Sequence, residues 1–454
     1  MRRFVLPAFV LALSILLPGC LPFTSVTSHQ SFVRVRGTHF VLDHRPYYYA
    51  GVNLWYGCYL GSPGPTGDRP RLVRELDSLK AFGLANLRVL GASEQSTIQH
   101  SIKPAIQQAP GVYDENLLEG LDFLLAEMAK RDMYAVVFLN NYWEWSGGMA
   151  QYVGWTDSTR TADPENSPGG WGEFMDSSAT FYGKPRAVAL YYRYLRAVIG
   201  RRNTVNGRLY AQDPTIMAWQ LANEPRPGRG WKADDPRLFG FYRWVDSTAH
   251  YIHLLDTNHL VSTGSEGTVG MDMSEQYFLE AHRSRYVDYL TLHLWPKNWG
   301  WFDPDKIRET LGPSEQKAGA YLAEHIRMAR QLGKPIVMEE FGMSRDSANC
   351  DAGGPSTARD HYFGVILKMV YDSARAGSPM AGSNIWTWGG EGRAAHPDHV
   401  WRVGDPFVGD PPQEPQGFNS ISLGDRSTLA IIQEHAFSML NIGFSAVPLS
   451  EDRP

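Results

Sequence analysis

The chain of 454 residues has only three cysteines, which excludes a small disulfide-dense scaffold. It contains no run of basic residues and carries a formal net charge of −5, so nucleic acid is not an expected partner. Beyond the N-terminal segment, no stretch reaches the roughly eighteen consecutive apolar residues that suggest a membrane-spanning helix. Because 43% of the residues are hydrophobic and 20% are charged, the chain has an ordinary globular balance, which excludes full disorder.

Motifs for metal, phosphate and serine-nucleophile chemistry are absent as well. The sequence has no His-x-His, His-Glu-x-x-His or paired-cysteine motif that would predict a metal site. It has no P-loop and no Gly-x-Ser-x-Gly elbow of the kind that carries a nucleophilic serine. The sequence therefore implies neither a metal nor an organic cofactor.

The N-terminus has the pattern of an export signal. Arg2 and Arg3 form a positively charged region, and an apolar run over 4–17 follows them. The run ends in Leu17-Pro18-Gly19-Cys20, which resembles a bacterial lipoprotein cleavage site. The resemblance implies cleavage before Cys20 and lipidation of its thiol, so the chain is expected to be exported and held at a membrane. The alternative is an ordinary secretory signal, which would give a secreted or periplasmic protein.

These patterns divide the chain into three parts. We interpret residues 1–19 as the signal peptide, 20–31 as a short tether and 32–454 as one folded domain. Once Cys20 is lipidated, Cys58 and Cys350 remain. In an oxidising compartment they either form a disulfide or stay separate, and both alternatives are open because a sequence does not give their Cα distance.

Short, mostly continuous apolar runs recur along the folded domain, as expected for strands that are buried on both faces. We predict a hairpin at 32–41 and eight later strands, at 47–55, 85–91, 134–140, 216–224, 260–266, 289–295, 335–341 and 382–388. Helical periodicity predicts helices at 69–82, 117–131, 186–201, 236–255, 314–332, 357–376 and 427–440.

Eight strands with interleaved helices predict an α/β protein, a (β/α)8 TIM barrel with a short N-terminal β-hairpin and long βα loops. A doubly wound sheet is the alternative, but the Gly-rich phosphate turn that often follows its first strand is missing. The connection over 141–185 is much longer than usual and follows the third strand. Loops at the carboxyl ends of barrel strands form the face that carries the site.

Tryptophan is abundant, with 14 residues, and aromatic residues make up 12% of the chain. This is more than core packing needs, so some rings are expected to line a binding surface. Ten of the fourteen fall in loops or strand ends on the predicted site face: Trp55, Trp143, Trp145, Trp155, Trp171, Trp295, Trp299, Trp301, Trp386 and Trp388.

Two predicted strands end in carboxylates, Asn223-Glu224-Pro225 in the fourth and Glu339-Glu340-Phe341-Gly342 in the seventh. An ionisable residue after several apolar ones is costly unless it is paired or functional. A salt bridge with an arginine would explain one such glutamate, whereas two at facing strand ends with aromatic neighbours favour catalysis. Paired carboxylates suit glycoside hydrolysis, in which one protonates the leaving oxygen and the other attacks the anomeric carbon or activates water.

Further motifs accompany these endings over nearly all of 32–454. They are Gly51-Val52-Asn53-Leu54-Trp55, Leu87-Arg88-Val89-Leu90, Asn140-Asn141-Tyr142-Trp143 with Gly147-Gly148, His293-Leu294-Trp295-Pro296-Lys297-Asn298-Trp299, and Trp386. With them the chain resembles glycoside hydrolase family 5, in the clan of retaining (β/α)8 glycosidases, and its endo-β-1,4-mannanase branch in particular. The resemblance implies that 32–454 is a catalytic domain.

The resemblance also implies roles for four charged residues. Glu224 would act first as general acid and then as general base, and Glu340 would be the nucleophile that forms the glycosyl-enzyme. Glu339 is the rival nucleophile; adjacent strand residues point to opposite sides, so only one is expected to face the mouth. The family pattern places the nucleophile directly before Phe-Gly, which favours Glu340. Arg88 would donate a hydrogen bond to Glu340 and keep it ionised.

The remaining implied site residues are polar or aromatic. Asn223 would hold the sugar 2-hydroxyl, and His293 would contact substrate or a carboxylate. The aromatic residues expected to bind substrate are Trp386, as the floor beneath the sugar at the cleavage point, Trp55 and Trp143, at flanking subsites, and Trp295. Fungal and plant relatives carry at the position of Trp295 a tyrosine that touches the nucleophile, whereas an indole can only donate a hydrogen bond.

The sequence is therefore interpreted as a retaining, endo-acting hydrolase of β-1,4-mannosidic bonds in mannan, galactomannan or glucomannan. Its expected partners are this polysaccharide and a membrane through the lipid anchor, and it is expected to be monomeric. One alternative is another family 5 β-glycanase of the cellulase or xyloglucanase type. A non-catalytic glycan-binding lipoprotein is the other, and the presence of both Glu224 and Glu340 argues against it.

Overall fold

The fold is known from a computed structural model, which describes residues 31–158, 161–230, 232 and 234–445. The predicted signal peptide, most of the tether and the lipidation site at Cys20 lie outside these residues. Within the part of the chain that is described, no helix has the length and apolar character needed to cross a membrane.

Eight parallel strands form the centre of the molecule, and each overlaps one of the eight predicted strands. They are β1 (Tyr49–Asn53), β2 (Asn86–Leu90), β3 (Tyr134–Phe138), β4 (Ile216–Gln220), β5 (Leu260–Ser262), β6 (Leu290–Leu294), β7 (Ile336–Phe341) and β8 (Met380–Ile385). Every residue in these strands is buried, which explains why their sequences read as apolar runs rather than as alternating patterns.

The strands close into a barrel. Their order in the sheet is β5-β4-β3-β2-β1-β8-β7-β6, so β1 pairs with both β2 and β8, and the edge strands β5 and β6 come together. At this seam Asp288 N donates to Val261 O at 2.8 Å, and His293 N donates to Glu266 O at 3.0 Å. The prediction of a (β/α)8 barrel is confirmed.

Eight helices surround the barrel, one after each strand. They are α1 (Arg69–Ala81), α2 (Glu115–Ala129), α3 (Pro185–Ile199), α4 (Pro236–Leu255), α5 (Glu275–His282), α6 (Ile307–Leu332), α7 (Thr357–Arg375) and α8 (Arg426–Ser445). Of these eight helices, only α5 was not predicted. It begins at the N-cap Ser274, whose side chain accepts a hydrogen bond from Tyr277 N, and its eight residues are too few for a clear helical period.

The N-terminal hairpin has a third strand. Arg34–Arg36, His39–Leu42 and Arg45–Pro46 form an antiparallel sheet whose first turn is made by Gly37 at φ +57°. Phe40 from this sheet is fully buried against Tyr49 and Tyr289, which lie at the amino ends of β1 and β6. The small sheet therefore covers the end of the barrel opposite the predicted site.

Two long connections build the other end. The segment over 141–185 contains two helices, Gly148–Asp157 and Gly170–Ala179, rather than only loop. The connection from β8 to α8 crosses towards β1, where Trp55 Nε1 donates to Gly409 O and Phe407 stacks on Tyr56. These two segments surround the carboxyl ends of the strands.

The two cysteines that the structure describes are both free thiols. Cys58 is buried in the short helix Gly57–Gly61, and Cys350 is partly exposed in the connection after β7. Of the two alternatives left open by the sequence, the structure shows separate cysteines.

Candidate active site

Glu224 lies just beyond the end of β4, where the backbone turns sharply. Its φ of +47° is in the left-handed region, which is uncommon for a non-glycine residue and recurs at functional sites. Its backbone N–H donates to Gly264 O at 2.9 Å and so fixes the turn against the chain that follows β5. The turn directs the carboxylate into the mouth, where Oε1 lies 2.5 Å from His293 Nδ1 and Oε2 accepts from Trp143 Nε1 at 2.5 Å.

Glu339 and Glu340 both point into the barrel, because β7 pairs irregularly with β6. The register shifts between Leu292 and His293, and Glu339 has no partner in the ladder. A bulge of this kind changes the side-chain alternation of a strand. As a result both carboxylates reach Arg88: Glu340 Oε1 accepts from its Nη1, and Glu339 Oε2 lies 3.5 Å from its Nε. The expectation that adjacent residues must face opposite sides is therefore wrong here.

Only one of the two carboxylates borders the open cleft. Glu339 is fully buried, and its Oε2 accepts from Gln220 Nε2 at 2.5 Å inside the barrel. Glu340 lines the cleft beside Glu224, and its Oε2 accepts from Trp295 Nε1 at 3.2 Å. Glu340 is therefore placed to act on a bound molecule, and the indole of Trp295 reaches it as a donor.

Arg88 holds the charged groups at the base of the cleft. Its guanidinium is fully buried and donates to four side-chain oxygens. Besides Glu340 these belong to Gln220 (2.8 Å), Asn223 (2.7 Å) and Asn53 (3.1 Å). Because Arg88 bonds Asn223 Oδ1, it orients that amide as well as the carboxylate. The structure thus brings together Arg88, Asn223 and Glu340, as the sequence predicted, while their roles stay predictions.

The two cleft carboxylates are close enough to influence each other's protonation. One oxygen of Glu224, one oxygen of Glu340 and a ring nitrogen of His293 all lie within 4.8 Å of one another. Burial raises the pKa of both carboxyls, with Arg226 opposing the rise at Glu224 and Arg88 opposing it at Glu340. Two carboxylates this close do not both ionise readily, so the pair retains one proton. The direct bond from Arg88 favours the ionised form of Glu340.

His293 is a neutral partner of this pair. Its ring is fully buried, and burial lowers its pKa well below the usual value for an imidazole. Its Nδ1 lies between Glu224 Oε1 at 2.5 Å and Glu340 Oε2 at 3.3 Å. Among the described residues, Glu224, His293 and Glu340 form the group whose spacing could hold a metal ion. His293 Nδ1 is bonded to Glu224 Oε1, and Glu340 Oε2 accepts from Trp295 Nε1, so these atoms have partners within the protein.

The cleft has a volume of about 590 Å³ and is lined by aromatic rings together with polar and charged side chains. Six tryptophans line it, namely Trp143, Trp145, Trp171, Trp295, Trp299 and Trp386. Trp386 lies at the end of β8, packs edge-on against Trp295 with ring centroids 6.0 Å apart, and borders the space beside Glu340. This is the position predicted for the ring beneath the reacting sugar.

Two of the aromatic predictions need correction. Trp55 is fully buried, because the connection after β8 covers it and accepts the hydrogen bond from its indole, so it offers no face to a sugar. Its proposed flanking subsite is wrong. Trp143 lines the cleft and its Nε1 donates to Glu224, and its role at a flanking subsite stays a prediction. Trp388, counted among the rings near the site face, is buried and donates to Glu75 instead.

Some residues of the cleft were not recognised from the sequence. Arg226 binds Glu266 through both carboxylate oxygens, at 2.5 and 2.9 Å, and its guanidinium lies 4.6 Å from the centroid of the Trp143 ring. Burial raises the pKa of Glu266 to about 7. Glu144 and Glu414 line the cleft, and burial raises the pKa of each to about 8. The position of Arg226 directly after Asn-Glu-Pro was the available signal for it. Glu144, Glu266 and Glu414 lie in loops without a motif.

The closed (β/α)8 barrel carries two carboxylates at facing strand ends, and an oxygen of one lies within 4.8 Å of an oxygen of the other. With the aromatic rings around them, these features define a glycoside hydrolase of the retaining type. The chain belongs to glycoside hydrolase family 5: the family model described as GH family 5 beta-mannosidase-like matches residues 30–443.

Individual relatives agree with this assignment. The chain is 32% identical to putative mannan endo-1,4-beta-mannosidase 9 of Oryza sativa subsp. japonica, over 78% of this chain and 81% of the relative. It is 28% identical to mannan endo-1,4-beta-mannosidase 4 of Solanum lycopersicum, over 83% of this chain and 88% of the relative. Among solved structures, the family 5 mannosidase from Rhizomucor miehei matches with a TM-score of 0.83 and 33% identity, covering 92% of this chain and all of that chain.

Proposed function

We propose that the protein hydrolyses internal β-1,4-mannosidic bonds of mannan, galactomannan or glucomannan with retention of configuration. The observation that carries the proposal is the paired arrangement of Glu224 and Glu340, with oxygens within 4.8 Å, in a cleft lined by six tryptophans. Retaining enzymes place their carboxyl groups about 5–5.5 Å apart, whereas inverting enzymes leave room for a water between them. The choice of mannan follows the activity for which the relatives from Oryza sativa and Solanum lycopersicum are named.

In the first step, Glu340 attacks the anomeric carbon while Glu224 gives its proton to the glycosidic oxygen. The C–O bond to the leaving sugar breaks, and an ester forms between the sugar and Glu340. In the second step, Glu224, now ionised, takes a proton from water, and the resulting oxygen attacks the anomeric carbon. The ester bond breaks, Glu340 is released as a carboxylate, and Glu224 holds a proton again.

The surroundings of each carboxylate fit its task. Arg88 and Trp295 both donate to Glu340, which keeps the nucleophile ionised and in position. Glu224 is buried and has a raised pKa, so it retains its proton until the leaving oxygen takes it. After the ester forms, the negative charge of Glu340 is gone, the pKa of Glu224 falls, and the same group serves as base.

Asn223 is placed to bind the sugar next to the reacting bond. Its Oδ1 accepts from Arg88 at 2.7 Å and its Nδ2 donates to Asn141 at 3.1 Å, so the amide has a fixed orientation at the cleft surface. We assign to it the contact with the 2-hydroxyl, which strengthens as the anomeric carbon gains positive charge. Trp386 would lie beneath the same sugar.

Incubation with a panel of galactomannan, glucomannan, cellulose and xylan tests the substrate. We expect rapid loss of viscosity with the two mannans, because internal cleavage shortens chains early, and little release of sugar from cellulose or xylan. Proton NMR during the first minutes should show the β-anomer at the new reducing end. Hydrolysis of cellulose without hydrolysis of mannan would favour the alternative β-glycanase activity, and an α-anomer appearing first would contradict retention.

We also propose that the enzyme is exported and anchored by a lipid on Cys20. The support is the Leu17-Pro18-Gly19-Cys20 sequence after an apolar run. A bacterial host expressing the full chain should incorporate labelled palmitate into it, and Cys20→Ala should abolish the label and release the enzyme from the membrane fraction. Cys58→Ala is the matched control and should leave both unchanged. Equal labelling of the Cys20→Ala and wild-type chains would contradict the anchor and leave an ordinary secretory signal.

A further inference from the structure

Trp171 is the most exposed ring in the cleft. It has 45% of its surface accessible, whereas Trp145, Trp295 and Trp386 each have less than a tenth. It lies on the helix Gly170–Ala179 within the long connection after β3, and it borders the cleft together with Trp143. An exposed aromatic face beside a carbohydrate site is suited to stack against the C–H face of a sugar.

The helix that carries Trp171 is firmly attached. Phe174, on the same helix, is fully buried and packs in a small core with Ile98 and Ala150. The hydroxyl of Tyr142 donates to Met175 O at 2.8 Å, and the hydroxyl of Ser178 donates to Tyr142 O at 2.9 Å. The ring is therefore presented from a fixed support and loses little conformational freedom when a sugar binds.

The position of Trp171 relative to the acid determines which sugar it can reach. Glu224 protonates the leaving oxygen, so the sugar chain that departs lies on the side of Glu224. Trp143 donates to Glu224 Oε2, and Trp171 is its next neighbour outward, with ring centroids 5.9 Å apart and planes at 73°. We infer that Trp143 faces the first sugar of the leaving group and that Trp171, the more exposed ring, faces the space beyond it.

We propose that Trp171 is the stacking platform for the second sugar on the leaving-group side and gives this enzyme a preference for long chains. The inference rests on the proposed mannan hydrolysis and adds to it a residue that determines specificity. The ring does not touch the reacting atoms, so its contribution appears only when a substrate extends past the first leaving sugar.

The test compares two substrates in wild type and Trp171→Ala. One is mannohexaose; the other is a nitrophenyl β-glycoside of a mannose oligomer, whose leaving group ends at the first position. We expect kcat/KM for mannohexaose to fall by roughly tenfold, in line with the loss of one aromatic stacking contact. We expect kcat/KM for the nitrophenyl substrate to change by less than about twofold. Trp171→Phe should retain most of the activity on mannohexaose.

Two controls separate this role from a structural one. Phe437→Ala removes a ring with similar exposure, 46%, on α8 away from the cleft, and should leave both substrates unaffected. An equal loss on both substrates in Trp171→Ala would mean that the ring only supports Trp143, and no loss on mannohexaose would mean that it binds nothing; either result overturns the proposal. Failure of wild type to hydrolyse any mannan would instead overturn the proposed function and the inference with it.

Discussion

Glu340→Gln should reduce turnover of mannan by roughly 10⁴-fold or more, the scale of loss seen when a covalent mechanism loses its nucleophile. The amide has nearly the same shape as the carboxylate, so the fold should persist, but it cannot form the ester with the anomeric carbon. Initial rates on mannohexaose measure the loss, and circular dichroism together with the melting temperature checks the fold. Retention of more than about a tenth of the wild-type rate would contradict the assignment of Glu340.

Glu339→Gln is the matched control, because this neighbour is also buried and also contacts Arg88. It should lose much less activity, since its carboxylate lies inside the barrel and accepts from Gln220 rather than bordering the cleft. A 2-fluoro mannosyl fluoride should label wild type and Glu339→Gln by one sugar mass, and peptide mapping should locate the label on Glu340. A label on Glu339 would reverse the assignment.

The pair of glutamates shows what sequence could and could not predict about the site. The positions at the ends of β4 and β7 follow from the apolar runs that precede them, and the barrel topology makes those ends face one another. Strand alternation predicted that only one of Glu339 and Glu340 faces the mouth, and the family pattern favoured Glu340. Only Glu340 borders the cleft, but the register shift beside Leu292 lets both carboxylates reach Arg88, and such a shift depends on pairing between distant strands.

The aromatic residues also show that contacts between distant parts of the chain limit prediction from sequence. Their excess correctly predicted a cleft lined by tryptophan, since six of the ten named rings border it. Trp55 was misplaced because its burial depends on a segment more than 350 residues away, whose Gly409 accepts its hydrogen bond. Trp171 could be counted among the rings of a long loop, but its exposure depends on a helix that the sequence pattern did not reveal. Long-range packing of loops is thus the part that local patterns leave undetermined.

The barrel itself was predictable because its signals are local and repeated. Each strand is short and buried on both faces, and helices of 13 to 26 residues show the period that predicts them. Helix α5 was missed because its eight residues are too few to show a clear helical period. The fold and the catalytic positions can therefore be predicted from hydrophobic periodicity and the order of the motifs. The shape of the cleft depends on long connections that show neither periodicity nor a motif.

Glu224→Ala should lower turnover of mannan by about 10²–10⁴-fold, the contribution typical of a general acid–base group. The loss should depend on the leaving group, because a dinitrophenolate departs without a proton. On a dinitrophenyl mannoside the variant should therefore form the ester at a near-normal rate and then hydrolyse it slowly, which gives a burst of dinitrophenol. Sodium azide should restore turnover by attacking the ester without general-base help, and β-mannosyl azide should appear as product.

The pH profile gives an independent test of the same assignment. In wild type, activity should fall at alkaline pH as Glu224 loses its proton, at a pH above that of an ordinary glutamate because burial raises its pKa. For ester formation on the dinitrophenyl substrate, Glu224→Ala should lack this alkaline limb. Glu94→Gln is the control: burial raises the pKa of Glu94 to about 8, so this carboxyl is already largely neutral at pH 7, and its amide should preserve both activity and profile. An alkaline limb that persists in Glu224→Ala, or azide rescue of Glu94→Gln, would mean that another group supplies the proton.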